Sequence, residues 1–78
     1  MLLLLTDREK QVLRLIVDGL ANKEISCELL ISESTVENHI HNIYRKLGIS
    51  KRAQAVVSAF QLGIVLLNEI IENRGSPS

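Results

Sequence analysis

Ser34 stands three and four residues before Glu37 and Asn38, and these stand four and three before His41, the spacing that gathers side chains on one face of a helix. All four are hydrogen-bonding groups, and Ser34 keeps the start of that face slim. Such a set suits the edges of nucleobases: a carboxamide pairs two-pronged with adenine, and a carboxylate accepts from the amine of cytosine. Val36, Ile40, Ile43 and Leu47 interleave with them at i, i+4, i+7 and i+11, a stripe that would be buried while the polar face stays free. A solvated surface would look much the same, so the reading needs support from the rest of the chain.

Charge supplies some of it. The chain has 78 residues and a formal net charge of zero, which taken alone is unusual for a nucleic-acid binder. The distribution is uneven. Residues 42–54 carry Arg45, Lys46, Lys51 and Arg52 and no acid, whereas residues 1–41 carry seven acidic against four basic side chains. A phosphate backbone responds to the local patch rather than to the total.

The elements that must hold these residues read as four helices. Thr6 and Glu9 form a capping-box pair, followed by the stripe Val12, Leu13, Ile16, Val17 and Leu20, with Gly19 as the stop. Asn22 reads as the cap of a second helix that buries Ile25 and Leu29, with small Ser26 between them and Cys27 turned outward. Ser32 caps the third, over about 33–47, and Gly48 ends it. Ser50 reads as the cap of the fourth, whose line Ala53, Val56, Val57, Phe60 and Ile64 keeps helical spacing past Gly63. Only Leu30, Ile31 and Ser32 separate helices two and three, so the two must cross steeply, as in a helix-turn-helix. The second of such a pair can enter a major groove. The expected fold is all-α, a four-helix bundle-like domain over 6–72 with a central helix-turn-helix. A segment 1–5 precedes it and a disordered tail 73–78 follows.

Several separated blocks resemble the LuxR-type DNA-binding domain of quorum-sensing regulators and NarL/FixJ response regulators. They are Leu5-Thr6-Asp7-Arg8-Glu9, Asn22-Lys23-Glu24-Ile25, Ile31-Ser32-Glu33-Ser34-Thr35-Val36, His39, Lys46-Leu47-Gly48 and Arg52-Ala53-Gln54-Ala55-Val56. The resemblance spans about Leu5 to Val65. It implies sequence-specific binding of double-stranded DNA by a bacterial transcription regulator, with helix three in the major groove. The family's base-reading positions fall on Glu37, Asn38 and His41. Glu37 departs from the basic residue often found there and opposes phosphate. Lys23, Ser34, Thr35, Arg45, Lys46, Lys51 and Arg52 are the expected backbone contacts, and His39, beside the buried stripe, is expected to be structural. Helix four has more apolar surface than one stripe uses, Val57 and Leu66 included, and the family's fourth helix commonly forms a two-fold contact. A weak homodimer is therefore expected, with RNA polymerase a further candidate partner and a cytoplasmic, nucleoid location.

Two rivals remain at this point: promoter binding like that of sigma-factor region four, and a protein-interaction module that has lost DNA binding. An enzyme is disfavoured, since the chain lacks a glycine-rich phosphate loop, paired carboxylates or a nucleophile beside a base. Lone Cys27 excludes an intrachain disulfide and a cysteine-based zinc site. No cofactor, metal or membrane span is expected; the apolar run Met1 to Leu5 is too short for a signal peptide.

Overall fold

Thr6 starts the fold as expected. Its Oγ1 accepts from the Glu9 amide at 3.1 Å, and Glu9 Oε1 accepts from the Thr6 amide at 2.9 Å, closing the capping box of α1 (Asp7–Val17). The computed structural model describes residues 5–63, and within them the chain forms four helices and no strand. Val12, Leu13, Ile16 and Val17 line the buried side of α1. The helix closes in a Schellman motif: the Leu20 amide donates to the Leu15 carbonyl at 3.1 Å and the Gly19 amide to the Ile16 carbonyl at 3.0 Å. Gly19 takes φ +91° there, a conformation costly for a side-chain-bearing residue.

The second helix, α2 (Asn22–Leu29), starts one residue earlier than the cap reading required: its N-cap is Ala21 rather than Asn22. Ala21 has no side chain to cap with. Glu24 serves instead, its Oε1 accepting from the Ala21 amide at 2.7 Å. Ile25 and Ser26 are buried and Cys27 is exposed, and the Ser26 hydroxyl is satisfied by the Lys23 carbonyl at 2.7 Å. The helix ends on Leu30, the one described non-glycine residue with positive φ, at φ 58°, ψ 43°.

Ser32 caps α3 (Glu33–Leu47), its Oγ accepting from the Thr35 amide at 3.1 Å. Val36, Ile40 and Ile43 are buried, Leu47 is half-buried, and Gly48 ends the helix at φ 68°. The start of α4 (Arg52–Gln61) is again shifted by one, with Lys51 rather than Ser50 as N-cap. Gln54 Oε1 accepts from both the Ser50 and Lys51 amides, at 2.9 and 3.0 Å.

The fourth helix corrects the expected stripe. Ala55 and Ala59 are the fully buried residues, Val56 and Phe60 are half-buried, and Ala53 and Val57 are exposed. Small side chains on this seam let α4 lie close on α1. The helix stops at Gln61, before Gly63; its expected continuation and the tail 73–78 lie outside the described residues.

The first helix is the centre of the fold, packed on α3 and α4, while α2 rests mainly on α3. One polar interaction crosses this core. Glu9 is 3% exposed, and the same Oε1 that caps α1 accepts from Lys46 Nζ at 2.8 Å. Burial alone would raise the Glu9 pKa. The hydrogen bonds from Lys46 and the Thr6 amide, with the charges of Lys46 and His39, outweigh it and hold the carboxyl below its ordinary range.

Two outcomes follow for stability. A depressed folded pKa means that Glu9 contributes stability in full above its unfolded value, about 4.3, and loses it as pH falls through the lower folded value. Glu9→Gln should cost about 1–3 kcal/mol at pH 7 and flatten the acid limb of a stability-against-pH profile; an unchanged limb would show that the pair is not coupled to folding. Leu30 is 90% exposed, so Leu30→Asn removes left-handed strain without removing packing. Urea denaturation should show a gain of about 0.5–1 kcal/mol with an unchanged slope, and a loss would mean that Leu30 is not strained.

Candidate nucleic-acid interface

The buried stripe of α3 turns its other face outward. Ser34, Glu37, Asn38, His41 and Arg45 are all exposed on it, each set by a helix whose back is anchored at Val36, Ile40 and Ile43. Arg45 Nη2 donates to Asn42 Oδ1 at 3.1 Å one turn back, which holds the guanidinium along the helix rather than across it. Thr35 is half-buried, its hydroxyl 2.9 Å from that of Ser32. It therefore belongs to the cap of α3, where unpaired amides point out of the helix and favour an anion.

The start of this helix is displayed by the turn before it. Leu30 swings the chain through the left-handed region, and the Ile31 amide returns to the Ser26 carbonyl at 3.0 Å. Ile31 is only half-buried rather than fully inserted.

The basic residues divide into two groups. Lys23, in the first turn of α2, and Lys51, at the start of α4, are exposed and have no side-chain partner among the described residues. Lys46 and Arg52, also expected at phosphate, have partners within the domain. The Lys46 ammonium is turned inward onto Glu9, with 27% of its side chain exposed. Arg52 is exposed, yet Nη2 donates to the Leu20 carbonyl and Nη1 to Asn22 Oδ1 at 3.3 Å.

Both partnerships were invisible in the linear pattern. Glu9 was legible only as a capping residue; the one available signal was that a carboxylate beside an apolar stripe needs a counter-charge if it is buried. Nothing local pairs Arg52 with a carbonyl 32 residues away. His39 is half-buried and lowers the Glu9 pKa through its charge, in keeping with a structural place. Among the described residues no group of His, Cys, Asp or Glu could hold a metal ion, and no helix is long and apolar enough to cross a membrane.

Comparison with known proteins agrees with this geometry. Residues 3–59 match the family model of the bacterial regulatory proteins, luxR family. The chain is 52% identical over 60 residues to the spore germination protein GerE of Bacillus subtilis (strain 168), an alignment spanning 77% of this chain and 81% of that protein. It is 47% identical over 62 residues to the transcriptional regulatory protein DegU of Brevibacillus brevis, covering 80% of this chain but 26% of DegU. The solved structure of the transcription factor GerE superposes with a TM-score of 0.75 at 47% identity, over 82% of this chain and 96% of that one. The response regulator ChrA of a heme-sensing two-component system gives the same TM-score at 38% identity, over 78% of this chain and 30% of ChrA. With four helices, a tight turn into α3 and an exposed polar face on that helix, this chain belongs to the luxR family of bacterial regulatory proteins and is a DNA-binding helix-turn-helix domain of a transcription regulator.

Proposed function

We propose that α3 is the recognition helix, lying in the major groove with Glu37, Asn38 and His41 towards base edges. The observation that carries this reading is the division of α3 into a buried stripe and an exposed polar face. A helix with side chains is about 10–12 Å across and the major groove about 12 Å wide, so the slim N-terminal half of that face fits deepest. Ser34, Thr35, Arg45, Lys23 and Lys51 face phosphate in this arrangement. The starts of α2, α3 and α4 and, through Arg45, the last turn of α3 then supply the backbone contacts, while Lys46 supports α3 from behind.

The charges make single-copy binding weak. Glu37 repels phosphate, and the whole chain has no net positive charge. A second copy on the same DNA compensates through effective concentration. Val57, 55% exposed on α4, supports a weak symmetric homodimer through that helix, with two α3 helices on half-sites about one DNA turn apart. Leu66, the other expected contact, lies outside the described residues. The chain binds rather than catalyses in this reading, acts on bacterial nucleoid DNA in the cytoplasm, and reaches RNA polymerase as its further partner.

Selection from a random DNA pool identifies the preferred site. On it, Asn38→Ala should cost about 1–3 kcal/mol and relax preference at one base pair. Lys23→Ala should instead weaken all sequences alike and reduce the slope of log affinity against log salt by about one. Salt-independent binding by the parent chain would refute the DNA interface as drawn. For the dimer, sedimentation on a two-site duplex should show two chains bound, and Val57→Glu should abolish the second without unfolding the domain. One chain per duplex in both proteins would exclude the dimer.

A further inference from the structure

Arg52 stands where charge alone would put it on phosphate, yet its hydrogen bonds run the other way. Its guanidinium spans from the first residue of α4 to the Leu20 carbonyl and to Asn22 Oδ1, the first residue of α2. These two acceptors flank Ala21, the N-cap of α2. The Leu20 carbonyl lies beyond the end of α1, so no amide of that helix donates to it. Arginine suits the task because its planar fork offers donors in a fixed geometry to two separate acceptors, whereas an ammonium is a point charge with no fixed fork.

The packing shows why such a tie matters. The second helix rests on α3 and touches α1 only lightly, whereas α4 rests on α1. Core packing fixes α2 against α3, α3 against α1 and α4 against α1, so the starts of α2 and α4 are related to each other mainly through two intervening helices. Lys23 and Lys51 sit at those two starts, both exposed. We infer that Arg52 is a positioning residue for DNA binding: it clamps the loop before α2 to the start of α4 and so sets the spacing of the Lys23 and Lys51 phosphate contacts. This rests on the DNA interface proposed above. It replaces a direct phosphate contact by Arg52 with an indirect role.

Arg52→Lys separates the two roles, since it keeps the charge and loses the fork, and Arg52→Ala removes both. Amide exchange on the free protein reads the clamp without DNA. In both variants the amides of Leu20, Ala21 and Ile25 should lose protection, while those of the α1 interior keep theirs. Affinity for the preferred duplex should fall about tenfold in both, the equivalent of one charge-assisted hydrogen bond, and the salt slope should match the parent's. Parental affinity and protection in Arg52→Lys, with a slope reduced by about one in Arg52→Ala, would overturn the inference and return Arg52 to the phosphate. A parent without salt-dependent binding would count against the DNA interface instead, and unchanged exchange in both variants would still refute the clamp. Should Arg52→Ala fail to fold, Arg52→Lys carries the same comparison of exchange and affinity.

Discussion

One buried carboxylate organises the domain. Glu9 Oε1 accepts from the Thr6 amide and from Lys46 Nζ, so a single oxygen closes the start of α1 and holds the last turn of α3. Taking a carboxylate out of water is expensive unless it is paired and hydrogen-bonded. Once paired, it tolerates few alternative arrangements, because any slip of α3 along α1 would leave a charge buried alone. Apolar packing is less demanding, since Val, Leu and Ile can exchange neighbours at modest cost. The ion pair therefore contributes register to the core more than it contributes net stability.

That register has consequences on the far side of α3. Val36, Ile40 and Ile43 face α1 and α2, and Lys46 anchors the helix end. With its back held, the outward face of Ser34, Glu37, Asn38 and His41 is displayed at one fixed rotation. Base recognition depends on hydrogen-bond geometry, so a reading helix free to rotate would discriminate poorly. A domain with a small core thus holds this helix by a buried polar tie, Glu9–Lys46, as well as by core volume.

The family assignment and the overall charge are compatible once location is considered. Acidic residues dominate the first half of the chain, yet Lys23 and Lys51 stand at two helix starts, where the helix dipole already favours anions. A zero net charge leaves little general attraction to DNA, so where the cations stand matters more than how many there are. Glu37, exposed on α3, adds an acid to the face that the basic helix starts flank.

The class of fold, the existence of all four helices and the polar face of α3 are legible along the chain. Helical periodicity, the Thr6–Glu9 and Ser32 caps and the glycine stops act over a few residues, so they are legible in a linear pattern. That pattern came within one residue on the caps of α2 and α4, which are Ala21 and Lys51, with Glu24 and Gln54 reaching back to the amides at those helix starts. Tertiary structure alone decided which side of α4 turns inward: that helix has an apolar arc wider than one stripe, and only the close approach of α1 selects Ala55 and Ala59 over the larger Val56 and Phe60. It also decided the partners of Lys46 and Arg52. Long flexible side chains reach acceptors 37 and 32 residues away in sequence, and no local rule connects positions that only folding brings together.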